Sequence, residues 1–129
     1  MTPNDPGLSR AVGHDALRVW MDFWELTGRL RVDILRLTES GGEPSKMIPP
    51  DVSTSTIAGA PAVLIGKDID PVTDRSGEIH SGCMQLEFID RVYETDRLII
   101  YGIEHEIVRA DEKDFGDFSI WTAKANRID

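Results

Sequence analysis

Residues 83–127 form a serial run of strand patterns joined by short charged links, and this run constrains the fold more than any other stretch of the chain. Its central step is Asp96-Arg97-Leu98-Ile99-Ile100-Tyr101-Gly102, an apolar run ending in Gly, followed at once by Ile103-Glu104-His105-Glu106-Ile107-Val108-Arg109. An apolar run, a turn and a half-buried return predict a tight hairpin. Strands are also expected at Met84-Gln85-Leu86-Glu87-Phe88-Ile89 and Phe118-Ser119-Ile120-Trp121-Thr122-Ala123, with 111–117 a charged, exposed link.

Two further strands precede this run. Arg29-Leu30-Arg31-Val32-Asp33-Ile34 alternates charged and apolar residues, the mark of a strand with one buried face. Leu35-Arg36-Leu37 continues it after a slip in phase that a bulge or an edge position would explain. Ala62-Val63-Leu64-Ile65 reads as a short buried strand. Between them, residues 38–60 carry Gly41-Gly42 and Pro49-Pro50 and read as a long excursion with a short strand near Thr54-Ser55-Thr56-Ile57; residues 68–82 form a second polar loop containing Pro71 and Gly77. Five or six strands with short late connections favour a meander rolled into a barrel over an open parallel sheet.

One helix is expected. Leu17, Trp20, Met21 and Trp24 stand at i, i+3, i+4 and i+7, with Asp15 as cap and Gly28 as terminator. Val19 and Phe23 widen its apolar face beyond one core stripe, so the helix is expected to touch a neighbour as well as its own barrel. The expectation is therefore a mainly β chain: a flexible N-terminal arm over 1–14, then one domain over 15–129, a small antiparallel β-barrel with one N-terminal α-helix (15–27) and long loops.

A chain of 129 residues suits one core. Fourteen basic against twenty-three acidic residues leave a formal charge of −9, and a surface so acidic disfavours ordinary nucleic-acid binding. That charge suits solubility, or a surface past which DNA slides without sticking. No apolar run approaches the roughly 18 residues of a membrane helix, so no membrane partner is expected. Met1-Thr2-Pro3-Asn4-Asp5-Pro6-Gly7 lacks the basic and apolar regions of a secretory signal, and the single cysteine, Cys83, agrees with a reducing compartment.

Candidate chemistry is sparse, and neither a catalytic set, a cofactor nor a metal is expected. In Glu104-His105-Glu106, strand alternation sends His105 to the face opposite the two carboxylates, so the three do not converge locally. His80-Ser81-Gly82-Cys83 sets an imidazole near a thiol without an orienting group or an oxyanion hole, so Cys83 reads as a buried or edge residue. Gly13-His14-Asp15 reads as a helix approach and cap, and Gly41-Gly42 and Ile57-Ala58-Gly59-Ala60 lack the spacing and Lys of a phosphate loop. Trp20, Trp24 and Trp121 read as core or interface packing, and Arg29, Arg31 and Arg36 as a solvated or intersubunit face.

Gly28-Arg29-Leu30-Arg31-Val32-Asp33-Ile34-Leu35-Arg36-Leu37 with Gly41-Gly42, then Ala62-Val63-Leu64, then the run from Leu86 to Ala123 together resemble the head-to-tail stopper, or head-closure, proteins of tailed bacteriophages. The head-tail joining protein of phage lambda shares the late pattern. The resemblance covers about three quarters of the chain, in strand order and residue types. It implies a structural virion protein of the neck, assembled in the host cytoplasm. It also implies a homo-oligomeric ring, a hexamer, between the portal or adaptor above and the tail terminator or tail tube below, with double-stranded DNA passing through unread. By position, 68–82 matches the family's channel loop, with Asp74, Arg75, Ser76, Gly77, Glu78 and His80 near its tip. Trp20, Phe23, Trp24, Arg29 and Arg31 are the expected interface residues. The 38–60 insertion and the Trp-rich helix depart from the family pattern.

The alternative of another class is a hot-dog-fold acyl-thioester hydratase or thioesterase. Its later strands resemble Gln85-Leu86-Glu87-Phe88, Asp96-Arg97-Leu98 and Thr122-Ala123-Lys124-Ala125-Asn126. That fold demands a long central helix, for which 50–66 is the one stretch in place, interrupted by Gly59 and Pro61. It also demands an acid–base pair that His14, His80 and His105 do not assemble. A third option is another neck or tail component, such as an adaptor or tail terminator; adaptors are mainly helical.

Overall fold

The computed structural model describes residues 6–42, 44–47 and 49–128. An N-terminal helix α1 (Pro6–Leu26) precedes strands β1 (Arg31–Ser40), β2 (Asp51–Gly66), β3 (Val72–Thr73), β4 (Ile79–His80), β5 (Met84–Phe88), β6 (Arg97–Ile100), β7 (Ile103–Asp114) and β8 (Ser119–Arg127), with a single 3-10 turn at Pro44–Lys46. Six strands close an antiparallel barrel in the order β1-β2-β5-β8-β7-β6, and β3 and β4 pair separately. The expected mainly β barrel with one N-terminal helix is present. Closure leaves the barrel wall without a free edge.

The late meander is partial. β6, β7 and β8 follow one another, but β5 lies between β2 and β8. The 89–96 link therefore carries the chain from β5 to β6, and its Val92 is buried with the barrel interior. The expected hairpin is β6–β7, with Ile100 opposite Ile103 across Tyr101 and Gly102, both at positive φ. Positive φ at both central residues is what a tight hairpin turn demands.

Alternation fills the interior. Val32 and Ile34 of β1, Ala60 and Ala62 of β2, Leu86 and Phe88 of β5, Leu98 and Ile100 of β6, and Ala123 and Ala125 of β8 form one buried cluster. Four alanines among larger side chains suit a small barrel, whose bore has no room for a large residue at every level. Each buried Leu, Ile, Val or Phe of this cluster contributes about 1.5–3 kcal/mol relative to leaving it exposed.

The helix begins at Pro6, not at Asp15, so the expected arm is helical from residue 6 onward, and residues 1–5 lie outside the described residues. Proline at the first helical position is preorganised and sacrifices no hydrogen bond. Asp15 therefore sits inside the helix and does not cap it. The C-terminus ends as expected at Gly28: its N–H reaches Glu25 O at 3.4 Å and Arg29 N–H reaches Trp24 O at 3.0 Å, with Gly28 at φ 105. That 5→2 and 6→1 pair is a Schellman stop.

Residues 38–60 differ most from the sequence expectation. They are not a loop: β1 runs to Ser40, and β2 starts at Asp51 and continues without a break to Gly66. The bulge lies in β2 and ahead of the expected slip at Leu35: Val32 pairs with Ala60 but Ile34 with Ile57, and from Ile34 to Ser40 the ladder runs in register. Gly59 holds the extra turn at φ 65; its N–H donates to Asp33 Oδ1 at 2.8 Å, and its carbonyl accepts from Arg31 Nη1 at 2.9 Å. Pro61 is tolerated within the strand because Ala62 N–H faces β1, donating to Leu30 O, so alternation turns the proline nitrogen toward β5, which pairs with β2 only from Ala62. This strand also occupies the stretch that a hot-dog fold would need as its central helix, which removes that architecture.

Candidate functional site

The 68–82 segment is wired by one side chain. β3 and β4 form a short hairpin, with Asp74 N–H donating to Glu78 O at 2.9 Å and Gly77 N–H to Asp74 O at 3.1 Å. Asp74 Oδ1 accepts from Ser76 N–H at 2.9 Å, Ser76 Oγ at 2.7 Å and Glu78 N–H at 2.9 Å. Its Oδ2 stands 2.9 Å from His80 Nε2, with Glu78 Oε2 4.0 Å from the same nitrogen. The bond to His80, then that from Ser76, holds the Asp74 carboxyl far below the usual carboxylate range, and Asp74 in turn raises the His80 imidazole above 6.5. Arg75 leaves the turn and pairs with Glu94 at 2.8 Å on the 89–96 link. All six expected loop residues thus lie in one compact turn.

A second arginine anchors the other excursion. Arg36 clamps Asp96 with two bonds, Nε to Oδ1 at 3.2 Å and Nη2 to Oδ2 at 3.0 Å, and Nη2 also donates to Arg91 O at 2.9 Å. Asp96 is buried, and its Oδ2 also accepts from Tyr93 N–H at 2.9 Å. The Asp96 bond raises the Arg36 guanidinium further still, and the guanidinium stacks 4.6 Å over Tyr93. Beyond this clamp β1 and β2 pair only with each other: β6 stops at Leu35, and β5 starts at Ala62. The result is a two-stranded arm, with exposed Leu37 and Val52.

Helix α1 is apolar on two sides. Trp20 and Trp24 are buried against Val63 and Ile120 on the outer wall of the barrel, and their indoles donate to Glu87 Oε1 at 3.3 Å and Leu30 O at 2.8 Å. Val19, Phe23 and Leu26, at i, i+4 and i+7, face outward at 65%, 47% and 84% exposure. Of the expected interface residues, Trp20 and Trp24 are thus covered by the chain's own barrel, because tryptophan at core spacing finds its partner in the same domain. Phe23, Arg29 and Arg31 remain exposed; Arg29 lies 3.9 Å from Glu25, and Arg31 packs 5.2 Å over Trp24.

The remaining candidates fall where alternation puts them. His105 is buried with Nδ1 2.8 Å from Ile103 O, while Glu104 and Glu106 are exposed. Cys83 is buried beside Val72 and Val108; burial pushes its thiol up, and its sulfur faces the carbonyl of His80, not the ring. Gly41 and Gly42, at φ 73 and 77, turn the chain at the end of the arm. Sequence reasoning missed Asp74 as a hub and the Arg36–Asp96 clamp. An Asp-x-Ser-Gly step is an Asx-turn signal that could have found the first; nothing local signals a pair 60 positions apart.

No family model matches the chain, and no curated protein matches it. Among solved structures, the chain is similar to the phage-like element PBSX protein xkdH from Bacillus subtilis, at 14% identity and a TM-score of 0.42, over 75% of this chain and 93% of that one.

Proposed function

We propose that the protein is a structural component of the neck of a tailed bacteriophage, forming a ring below the portal or adaptor that closes the DNA-filled head and receives the tail. The observation that carries this reading is the pair of unlike, unpartnered surfaces on one subunit: the outward Val19–Phe23–Leu26 stripe and the two-stranded arm. A head-to-tail ring needs two different patches that meet each other, and a helix with apolar residues on both sides and an arm with open edges supply them. The sequence resemblance to head-closure proteins points the same way, as does an acidic chain that lets DNA pass without holding it. On this reading the role is structural rather than catalytic, and the ring is a hexamer.

The test is electron microscopy of particles assembled by the phage genome with this gene removed. DNA-filled heads that leak and carry no tails are expected; normal virions would reject the reading. Within it, shortening Thr73–Ser81 leaves rings intact while heads lose DNA, and fully retained genomes would remove that turn as the channel closure.

A further inference from the structure

We propose that Asp74, Glu78 and His80 form a binding site for one divalent transition-metal ion of the zinc class, walled by Glu106. Imidazole and carboxylate donors together are the set such ions take, and one ligand atom from each of the three lies within 4.8 Å of the others. His80 Nε2 stands 2.9 Å from Asp74 Oδ2 and 4.0 Å from Glu78 Oε2, whereas tetrahedral zinc ligands at roughly 2.0–2.2 Å stand about 3.3–3.6 Å apart, so the ion replaces the His80–Asp74 hydrogen bond and those two atoms open slightly. Glu78, whose side chain is exposed and free to swing inward, closes the few tenths of an ångström by which 4.0 Å exceeds that spacing.

A fourth group comes from a different part of the chain: Glu106 of β7 lines the same cavity as Asp74, Glu78 and His80, with Ile107 and Val108 completing the lining. That lining holds three carboxylates and one imidazole, and no lysine or arginine. Arg97 stands opposite Glu106 across the β6–β7 ladder and offsets that carboxylate, which leaves Asp74 and Glu78 as a pair of carboxylates whose charge a dication matches. The donors are also held in place: the Asp74 oxygen that points away from His80 is fixed by three hydrogen bonds, the kind of support that orients a ligating carboxylate. Three protein ligands leave a position open to water or to a group from a neighbouring molecule. The site does not depend on the ring reading, since it is complete within one chain.

The experiment is calorimetric titration of the chelator-treated full chain with Zn2+. Saturable binding of one ion per chain is expected, weakened about tenfold or more by His80→Ala and by Glu78→Gln, and unchanged by Cys83→Ala. Glu78→Gln alters an exposed side chain and decides the matter if His80→Ala fails to fold. In the nitrogen NMR spectrum of the histidine rings, His80 should move on adding Zn2+ while His105 stays. No saturable binding, equal binding by Glu78→Gln, or a shift at His105 in place of His80 would each overturn the site.

Discussion

The two polar excursions, 38–60 and 68–82, look alike in composition and fold by opposite means. The first becomes an arm held by a backbone ladder between β1 and β2, with Leu37 and Val52 exposed along it and the Arg36–Asp96 clamp at its base. The second has a ladder of two residue pairs, Val72 with His80 and Thr73 with Ile79, and takes its shape from one carboxylate. Backbone pairing tolerates almost any side chain, whereas a side-chain hub depends on a single residue. The arm is therefore open to change along its length except at its base, and the turn is open to change nowhere near Asp74.

Substitutions can break or sharpen this contrast. Arg36→Ala has the largest expected effect: it leaves the buried Asp96 carboxylate without its cation and costs about 2–4 kcal/mol in urea unfolding. A loss below about 1 kcal/mol would show that the clamp does not anchor the arm. Next comes Gly59→Ala. Its new Cβ would meet Arg31 Cδ at an ordinary 3.7 Å, so the expected cost of about 1 kcal/mol is purely that of a left-handed backbone. An unchanged unfolding midpoint would mean that the bulge rearranges freely.

The turn answers to pH. His80, raised by Asp74, contributes its stabilisation in full below its ordinary value of 6.5 and loses it as pH rises through its folded value. Asp74, lowered by His80, contributes above its ordinary value of 3.8 and loses it as pH falls toward its folded value. In metal-free protein the turn is thus tightest between those two ordinary values. NMR titration should place the His80 midpoint above 6.5, and Asp74→Asn should bring it down; a midpoint that ignores Asp74→Asn would dissolve the hub. The smallest effect belongs to the arm, where Val52→Ser should shift stability by no more than about 0.5 kcal/mol. A larger loss would mean that the arm packs against its own barrel.

Much of this was legible beforehand, residue by residue. Alternation in 31–34 and the apolar run before Gly102 marked the wall, Gly28 marked the helix stop, and His105 was separated from Glu104 and Glu106 by strand geometry alone. The arm was not legible because Ser, Thr, Gly and Pro suggest a loop wherever no apolar stripe announces a strand, yet a partner strand satisfies the same backbone. Trp20 and Trp24 read equally well as core or as interface, since spacing reports a face without naming what covers it.

The amino-acid sequence by itself determined the elements whose causes are local: the two-residue period of the wall strands, the Schellman stop after the helix and the turn chemistry at Asp74. Only the tertiary structure decided which strands pair beyond the β6–β7 hairpin, that β5 lies between β2 and β8, that β2 is buried on both sides where the helix crosses it, and that Glu106 faces Asp74 and His80. Those outcomes depend on closing a barrel, and closure joins residues far apart in sequence through contacts no local pattern encodes.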